Sequence, residues 1–568
     1  MNVFRHLSTL RAKRAAAHAI DPEDVFLDSQ NLSSLDINQL EGQLSRPLGM
    51  RVHFLFLIFI GLLFGGTLFR LYGMQIVDRE VYQEKANRNN LRTTPIFANR
   101  GTISDVNGNL LAWNSSQDIE HEIPDRVYTS TPGFSHLLGY VSYPKKDQSG
   151  IFWQDEYIGK DGVEKEYQDR LSGKSGEKVI AVNALHQVEA ENVNIDPVNG
   201  ENLKLTIDKG VQAKLYESME ALARKASFTS GAGVIIDVNT GEILAIASYP
   251  EYDNNLITNA TSSTDKQKLS KELTDKNNKF LNRAVSGLFT PGSTVKPYVA
   301  LAALMEKIIT PEKNIYSSGQ LVIKNKYGGP DSVFKDWKAH GYTDMRKALA
   351  ESSDEYFYQV GGGFESQPGL GIDRINKYSK LFGFGTTTGI DLPGEAYGNV
   401  PSPEWKKKVF NEDWLLGNTY HTAIGQYGFQ TTPLELVRAV ATIANGGTLV
   451  TPHVLSGIKT ESTQISLNQE DLKVIREGMH MVVHSENGTG RALDIGGVDV
   501  AAKSGTAELG VSKQLVNSLI SGYFPYNNPK YAFVVVMEKG DRHNPYGAVF
   551  AMNDVLTYLR DSTSYPVK

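Results

Sequence analysis

The sequence feature that most constrains this chain is an apolar run between Arg51 and Arg70. It consists of VHFLFLIFIGLLFGGTLF and contains no Asp, Glu, Lys or Arg. At ~1.5 Å of rise per helical residue, the run nearly crosses a hydrocarbon core of roughly 30 Å. A buried core helix rarely stays apolar on every face for this length. We therefore predict a transmembrane helix at about 52–72.

The segments on either side of this run can indicate whether it is cleaved and which way it crosses the membrane. The run begins far from the N-terminus and no small-x-small cleavage site follows it, so residues 51–73 are predicted to persist as an anchor. Residues 1–50 mix both charge signs with few aromatic side chains, which is typical of a largely disordered tail. Because Arg46 precedes the run and Arg79 follows it, local positive charge favours neither orientation.

Length and composition narrow the class of protein. A chain of 568 residues is long enough for two or three units with cores of their own. The net charge of −6 and the lack of a long basic stretch argue against a nucleic-acid partner. With 0 Cys, the sequence excludes disulfides, thiolate catalysis and Cys-ligated zinc or iron–sulfur sites.

Two globular modules are predicted after the anchor. Over 78–205, short β-branched runs alternate with Asn-Gly and Asp-Gly turns, which favours a small β-rich module without catalytic motifs. A larger module is predicted over 206–565. A strand at 202–208 and a helix from Lys209 to Lys225 mark the boundary between the two.

The larger module has strand patterns near both of its ends. Residues 232–250 contain two apolar runs around an Asn-Thr-Gly turn, which is typical of a hairpin in a buried sheet. Residues 518–538 show the same pattern, and a last helix is predicted at 546–560. Strands at both ends of a helical middle predict an α/β fold in which an antiparallel sheet is packed by helices.

The clearest chemical signal is FTPGSTVKPYVALAALMEK at 289–307. Pro291 and Gly292 break the chain, and the helix that follows places Ser293 and Lys296 three residues apart on one face. A partly desolvated lysine in that position can take the serine proton and activate the oxygen as a nucleophile. Alone this pattern is weak evidence, because Ser-x-x-Lys also arises by chance as a capped helix with a solvated lysine.

Two further elements follow the first in a fixed order. Ser352-Ser353-Asp354 lies between a helix-like MRKALAE and the aromatic EYFYQ. Lys503-Ser504-Gly505-Thr506 follows the strand-like GVDVAA. S-x-x-K, then S-x-N or S-x-D, then K-S-G or K-T-G is the signature set of penicillin-interacting serine enzymes. The shared order makes a chance match at Ser293 the minor alternative.

More of the chain than these motifs resembles class B penicillin-binding proteins, over about residues 50–565. The similar segments are NRAVSGLFTPGSTVKP, TGIDLPGE at 388–395, GNVPSPEWK at 398–406, TPLELVRAVATIANGG at 432–447, AAKSGTA at 501–507 and the membrane-proximal NRGTISDVNGNLLA at 99–112. Ser-x-Asp followed by YFYQVG, and PEWKKKVF with Trp414, are most similar to the penicillin-binding protein 2 subfamily. The resemblance implies a pedestal module at 78–205 and a transpeptidase domain at 206–565.

The resemblance also implies an activity and a location. Members of that subfamily crosslink the D-Ala-D-Ala stem peptides of peptidoglycan in cell-wall elongation and shape maintenance, use no cofactor and are targets of β-lactams. Their substrate lies outside the cell membrane, which implies a single span with a cytoplasmic N-terminus and an extracytoplasmic catalytic domain. The implied membrane partner is a RodA-type glycosyltransferase. As a departure, the segment between Trp113 and His136 is much shorter than the pedestal head of that subfamily.

By resemblance, the motif residues have defined roles in acyl transfer. Ser293 is the nucleophile and Lys296 its general base. Ser352 passes the proton to the leaving amine, while Lys503 and Thr506 hold the substrate carboxylate. The backbone N–H groups of Ser293 and Thr506 form the oxyanion hole, which is worth roughly 3–4 kcal/mol per donor in comparable sites.

The other motif residues, and a metal site of some relatives, lead to separate expectations. Ser504 and Gly505 belong to the substrate-binding strand, where a side chain on Gly505 would obstruct the approach of substrate. Asp354 stands where most class B relatives have Asn, and we expect it either to be compensated by Lys503 or to act mainly as a hydrogen-bond acceptor that positions substrate or Lys296. Some relatives bind zinc through Asp, His and Cys between the first two motifs. Asp336 and His340 match part of that set, but without Cys we expect no metal.

Three other classes of protein share parts of this pattern. A serine β-lactamase uses the same three elements but needs no anchor and no preceding module. A membrane β-lactam sensor would carry a cytoplasmic effector domain, for which residues 1–50 are too few. A scaffold of the wall-synthesis machinery with dispensable catalysis stays open at this point. The acceptor residue of the stem peptide is not visible in the sequence.

Overall fold

A computed structural model describes residues 50–115, 123–148, 152–182, 188–326, 328–510, 513–562 and 565–566. The chain divides into two compact units, 1–91 and 92–568. The predicted N-terminal tail lies outside the described residues up to position 49.

The first unit contains a helix with the predicted membrane-spanning character. Helix α1 covers Met50–Tyr72, a π-helical turn covers Gly73–Val77 and helix α2 covers Arg79–Asn90. The stretch His53–Val77 has a mean hydropathy of 2.2, and within the described residues it is the one helix long and apolar enough to cross a membrane. The predicted helix at 52–72 is therefore confirmed. Helix α2 was not predicted, because its polar sequence gives no hydrophobic period.

The first part of the second unit is rich in short strands, as the turn pattern predicts. One four-stranded sheet has the strand order Leu203–Lys204, Ile103–Ser104, Leu110–Asn114 and Arg126–Tyr128, and a three-stranded sheet has the order Leu91–Ile96, Gly176–Val182 and Val188–Ile195. The elements of this part are β1 (Leu91–Ile96), β2 (Ile103–Ser104), β3 (Leu110–Asn114), β4 (Arg126–Tyr128), α3 (Ser135–Leu138), β5 (Val141–Ser142), β6 (Lys145–Lys146), β7 (Phe152–Gln154), β8 (Ile158–Gly159), α4 (Gly162–Glu166), α5 (Gln168–Leu171), β9 (Gly176–Val182), β10 (Val188–Ile195) and β11 (Leu203–Lys204).

Buried ion pairs hold the membrane-proximal motif NRGTISDVNGNLLA. The Arg100 Nε lies 2.5 Å from Glu164 Oε2 and the Arg126 Nε lies 2.8 Å from Glu164 Oε1, with all three side chains fully buried. Burial raises the pKa of Glu164, but the charges of Arg126 and Arg100 outweigh it, so that the pKa lies below its usual value. Within the motif, Asp105 Oδ1 accepts hydrogen bonds from the backbone N–H groups of Asn107 and Asn109 at 2.9 and 2.7 Å and closes the Asn-Gly turn.

The rest of the second unit alternates helices with strands. Its elements are α6 (Lys209–Ala226), β12 (Ser230–Asp237), β13 (Ile243–Tyr249), α7 (Asn254–Asn259), α8 (Ser263–Leu273), α9 (Arg283–Ser286), a 3-10 turn (Gly292–Val295), α10 (Lys296–Met305), β14 (Ile315–Ser317), β15 (Gln320–Ile323), β16 (Ser332–Lys335), β17 (Gly341–Thr343), α11 (Met345–Ala350), α12 (Asp354–Gly362), α13 (Ile372–Leu381), α14 (Pro403–Phe410), α15 (Leu416–Ala423), α16 (Pro433–Ala444), β18 (Thr448–Val450), β19 (Ser462–Gln464), α17 (Gln469–His484), a second 3-10 turn (Arg491–Leu493), β20 (Ala501–Leu509), β21 (Leu515–Phe524), β22 (Tyr531–Asp541) and α18 (Ala548–Asp561).

A five-stranded antiparallel sheet organises this part, in the order β13-β12-β22-β21-β20. One row across it joins Ile246, Val234, Val534, Ser521 and Lys503. The two hairpins predicted near the ends of the module are confirmed, and they pair with each other through β12 and β22. Strand β20 lies at the edge, so its outer backbone groups are not paired with a strand of this sheet.

Helices cover both faces of the sheet. Helix α6 buries Val211, Leu215 and Met219 in a core that also contains side chains of α18. Complete burial of each aliphatic side chain contributes about 1.5–3 kcal/mol. Helix α16 packs on the sheet in a second hydrophobic core. This helix begins with a capping box formed by Thr432 and Glu435. The predicted α/β arrangement of an antiparallel sheet packed by helices is confirmed.

The predicted strand at 202–208 is shorter in the structure. Only Leu203–Lys204 is a strand, because Asp208 is the N-cap of helix α6 and accepts hydrogen bonds from the backbone N–H groups of Gly210 and Val211 at 2.8 and 2.9 Å. Helix α6 itself agrees with the predicted Lys209–Lys225, and α18 agrees with 546–560.

Candidate active site

The first motif lies where a tight turn meets the edge strand. The 3-10 turn Gly292–Val295 carries Ser293, which is half-buried, and helix α10 begins directly after it. Gly292 has a φ of +54°, and a Cβ there would lie 2.6 Å from the carbonyl oxygen of Thr506. Only glycine allows this approach, so the turn and strand β20 are in direct backbone contact. In an antiparallel strand the N–H of Thr506 points to the same side as its carbonyl, towards the turn.

The second motif forms the turn between helices α11 and α12. Ser352 has a φ of +58°, in the left-handed region that a residue with a side chain occupies at a cost of about 1–3 kcal/mol. Ser353 is the N-cap of α12, since its Oγ accepts from the Tyr356 backbone N–H at 3.3 Å. Ser353 also donates to Asp336 Oδ2 at 2.9 Å, and Asp354 is the first residue of α12. The turn is thus held in one conformation from both sides.

Two fully buried lysines converge on this turn. Lys296 Nζ lies 2.6 Å from Asp354 Oδ1 and donates to the carbonyl oxygen of Ser352 at 2.8 Å. Lys503 Nζ donates to Ser352 Oγ at 2.9 Å and to the carbonyl oxygen of Ser504 at 3.0 Å. Ser352 therefore connects all three motifs, although Lys503 is 151 positions further along the chain.

The hydroxyl of Ser352 is placed to pass on a proton. Its oxygen accepts from Lys503 at 2.9 Å and from Lys296 at 3.3 Å. A hydroxyl has two acceptor lone pairs and one donor proton. With both lone pairs occupied, the proton of Ser352 is the group that can be donated into the site.

Burial, and then the positive charge of Lys296, lower the pKa of Lys503 well below its usual value, while the carboxylate of Asp354 acts in the opposite direction. The Lys503 side chain is fully buried, and it donates hydrogen bonds to Ser352 Oγ and to the carbonyl oxygen of Ser504. Its predicted contact with the substrate carboxylate stays a prediction.

The lowered pKa of Lys503 predicts a pH dependence of folding stability. The unfolded chain has the ordinary lysine pKa of 10.5 and binds the proton more tightly than the folded chain does. Between the folded-state pKa and about 10.5, the free energy of unfolding should therefore rise with pH. Denaturant titrations of wild type and Lys503→Met from pH 7 to 10 measure this, and only the wild type should gain stability from this source. Parallel curves for the two proteins would contradict it.

Gly505 is required for a reason that differs from the sequence-based one. A Cβ at Gly505 would lie 2.8 Å from both the carbonyl oxygen of Pro291 and Thr294 Cγ2. A side chain at Gly505 would therefore clash first with the turn that carries the nucleophile. The sequence-based expectation is a clash with the substrate instead. Glycine allows strand β20 to lie against that turn.

Gly505→Ala should separate strand β20 from the Ser293 turn. Because a displacement of about 1 Å at a reacting centre can cost roughly 100-fold, acylation by a fluorescent penicillin should slow by about 10–100-fold. Gly496→Ala is the matched control, since a Cβ at Gly496 has nothing within 4 Å. Stopped-flow measurement of acylation compares the two variants, and an equal rate in both would contradict the close-contact explanation.

Sequence reasoning missed several residues that support the site. The carbonyl oxygen of Gly425 accepts from the Gly292 N–H at 3.0 Å, and Thr489 Oγ1 accepts from Ser504 Oγ at 2.6 Å. Asp336 Oδ2 also accepts from the Glu355 N–H at 2.8 Å. Glycine and proline signals mark these segments as turns, but nothing in a single sequence shows which distant backbone group a turn will reach.

The partial zinc motif forms hydrogen bonds instead of a set of ligands. His340 Nδ1 lies 2.9 Å from Glu351 Oε2 and its Nε2 lies 3.5 Å from Asp336 Oδ1. The Asp336 carboxylate already accepts from Ser353, Glu355 and the Trp337 N–H. Among the described residues, Asp336 and His340 are not part of any set of three with ligand atoms within 4.8 Å. The residues present do not fit the zinc site of those relatives.

Known protein families and relatives are similar to this chain in sequence. The model of the penicillin-binding protein transpeptidase domain matches residues 231–552, and that of the penicillin-binding protein dimerisation domain matches 118–205. The peptidoglycan D,D-transpeptidase MrdA of Haemophilus influenzae is 31% identical over 88% of this chain and 90% of its own length.

Solved structures show the same fold. Penicillin-binding protein 2 of Helicobacter pylori, in complex with MreC, is 28% identical, covers 83% of this chain and 99% of its own, and has a TM-score of 0.68. A chain from a peptidoglycan synthase complex in which polymerization and crosslinking are coordinated is 26% identical, covers 91% of this chain and 99% of its own, and has a TM-score of 0.70.

The chain belongs to the class B penicillin-binding proteins. Within that family it is a serine-type D,D-transpeptidase, most similar to the penicillin-binding protein 2 members.

Proposed function

We propose that this transpeptidase crosslinks peptidoglycan stem peptides during cell-wall elongation, through an acyl-enzyme on Ser293. The observation that carries the proposal is the convergence of Lys296, Ser352 and Lys503, with Ser352 Oγ at 3.3 Å from Lys296 Nζ and 2.9 Å from Lys503 Nζ. A buried relay of this kind next to a half-buried serine is suited to moving one proton between a nucleophile and a leaving amine.

The proposed reaction has two steps that share one proton path. Ser293 Oγ attacks the carbonyl of the penultimate D-alanine while its proton goes to Lys296, and the peptide C–N bond breaks. The leaving D-alanine amine takes a proton through Ser352. An amine of a second stem peptide then attacks the ester carbonyl, the bond between that carbon and Ser293 Oγ breaks, and the proton lost by the amine returns to Ser293. The N–H groups of Ser293 and Thr506 are proposed to bind the oxyanion, and the open edge of β20 to pair with the donor peptide.

A crosslinking assay tests this function. The full chain in detergent is incubated with uncrosslinked peptidoglycan strands that carry pentapeptide stems, and free D-alanine and muropeptide dimers are measured by mass spectrometry. One D-alanine released per dimer formed is the expected result, with both products lost in Ser293→Ala. Release of D-alanine without dimers would make the chain a hydrolase, and no release from the wild type would contradict the substrate.

We also propose the domain limits and the topology implied by the family. Residues 1–50 would be the cytoplasmic tail, 51–73 the span, 78–205 the pedestal and 206–565 the transpeptidase domain outside the membrane. The apolar stretch His53–Val77 supports a single span. Protease added to intact spheroplasts should degrade the large domain and spare the tail. The reverse pattern would contradict this orientation.

A membrane glycosyltransferase of the RodA type is the proposed partner. Support comes from the similarity to a chain of a complex that coordinates polymerization with crosslinking, and MreC binds the similar protein of Helicobacter pylori. Co-purification of the full chain with its membrane polymerase, compared with a chain lacking residues 1–73, tests the proposed contact through the span.

A further inference from the structure

Two histidines and an aspartate outside the catalytic motifs face one another between helix α17 and strand β20. His480 and His484 are one helical turn apart at the end of α17, and Asp499 lies two residues before β20. Asp499 Oδ1 lies 2.9 Å from His480 Nε2 and 3.8 Å from His484 Nε2. All three ligand atoms lie within 4.8 Å of one another.

A second carboxylate lies beside one of these histidines. Asp494 Oδ1 lies 3.2 Å from His484 Nδ1. Histidines that bind metals commonly donate their other ring N–H to a carboxylate in this way. With its proton on Nδ1, His484 directs the lone pair of Nε2 towards Asp499.

The Nε2 atom of His484 is buried and has no hydrogen-bond partner among the described residues. A buried polar atom without a partner normally costs about 1–3 kcal/mol. An atom that is orphaned and yet directed at two other ligand groups is the arrangement that a bound cation would explain.

We propose that His480, His484 and Asp499 form a site for a divalent transition metal ion of the zinc class. A tetrahedral ion bound at about 2.0–2.1 Å places neighbouring ligand atoms about 3.3 Å apart. The two observed His–Asp distances of 2.9 and 3.8 Å bracket that value, and the two histidine nitrogens lie within 4.8 Å of each other, so side-chain movements of about 1 Å would bring the ligand atoms to that geometry. Imidazole with one carboxylate is a donor set for zinc and its neighbours, whereas magnesium and calcium prefer oxygen ligands alone.

The three side chains leave room for a fourth ligand. Their exposed fractions are 31% for His480, 26% for His484 and 30% for Asp499. A water molecule can complete the tetrahedron from that open side. The expectation of no metal rests on the absence of Cys, and that argument does not apply to a site made of two histidines and an aspartate.

The site would join helix α17 to the segment that leads into the third catalytic motif. After α17, the hydroxyl of Thr489 accepts from Ser504 Oγ at 2.6 Å, and its N–H donates to the carbonyl oxygen of Ala350 at 3.2 Å. Asp499 leads directly into β20, and its carbonyl oxygen accepts from the Tyr526 N–H at 2.9 Å. A metal ion here is a structural clip between α17 and β20, outside the reacting groups.

Equilibrium dialysis of the full chain in detergent, first stripped with a chelator and then exposed to Zn²⁺ or Co²⁺, tests the site. One Zn²⁺ per chain is expected at this site, with a rise in unfolding temperature on binding. Co²⁺ should give the visible absorption of a tetrahedral ion. His484→Asn and His480→Asn should each abolish both signals. Asp494→Asn should weaken binding by about 10–100-fold, as for other residues behind a metal ligand.

His543→Asn is the matched control, because His543 is exposed and contacts Asp541 outside the cluster. Labelling by fluorescent penicillin shows whether each variant is folded. Folded His484→Asn and His480→Asn variants that still bind one Zn²⁺ with the wild-type affinity would overturn the proposal. So would zinc that is lost in His340→Asn and retained in His484→Asn, since the metal would then lie elsewhere.

Discussion

Ser293→Ala is expected to abolish the covalent adduct with benzylpenicillin completely while thermal unfolding stays nearly unchanged. The oxygen of Ser293 is the atom that forms the ester with penicillin, and we expect no other side chain to form this adduct in its place. Its removal leaves no buried partner unsatisfied, because Ser293 is half-buried on a 3-10 turn. Intact-mass analysis after penicillin treatment, followed by peptide mapping, measures the adduct.

The matched control is Ser270→Ala, which removes an exposed hydroxyl from helix α8. This variant should keep one penicilloyl group per chain. An adduct that maps to Ser352 in the wild type would overturn the assignment of the nucleophile. Turnover of penicillin at the speed of a β-lactamase would instead show that water reaches the acyl-enzyme, and the chain would then be a hydrolase.

The order of the motifs made the site predictable from the sequence. Lys296, Ser352 and Lys503 belong to short patterns whose residue types are dictated by acyl transfer, so their meeting could be expected before any fold was known. The structure adds the reason that they meet at Ser352, whose left-handed backbone directs its hydroxyl towards both lysines. A left-handed serine gives no signal in a sequence, because the residue type does not favour that conformation.

The supporting contacts were not predictable, because they depend on distant backbone groups. Gly425 is an example: a Cβ there would lie 2.1 Å from the carbonyl oxygen of Gly292, 133 positions earlier in the chain. A single glycine in a loop indicates a turn, but the sequence does not identify the group that approaches it. The buried role of Asp336 behind Ser353 was missed for the same reason.

The fold was predictable where hydrophobic periods are strong. The hairpin of β12 and β13 follows from two continuous apolar runs around an Asn-Thr-Gly turn, and helix α6 follows from a clear period of 3.6 residues. Helix α2 was missed, because a polar helix carries little periodic signal. Strand β11 was predicted too long, because a two-residue strand carries little periodic signal as well.

Lys296→Gln is expected to slow acylation by penicillin by about 10²–10⁴-fold, the usual loss when a general base is removed. Glutamine can still reach Asp354 and Ser352 with hydrogen bonds, but it cannot accept the proton of Ser293. The rate of labelling by a fluorescent penicillin measures the loss, and thermal unfolding confirms that the variant is folded.

The acylation rate of Asp354→Asn, compared with that of Lys296→Gln, distinguishes the role of the base Lys296 from the role of the carboxylate beside it. The Asn Oδ1 can still accept from Lys296 Nζ, which lies 2.6 Å from the Asp oxygen, and the position is 22% exposed, so the loss of charge is partly screened. Acylation should therefore stay within about tenfold of wild type, a loss of no more than ~1.4 kcal/mol. An equal and severe loss of acylation rate in Asp354→Asn and Lys296→Gln would show that the negative charge of Asp354 itself is required. A rate in Lys296→Gln within tenfold of wild type would move the base role to Lys503, the other buried lysine, which donates to Ser352 Oγ at 2.9 Å.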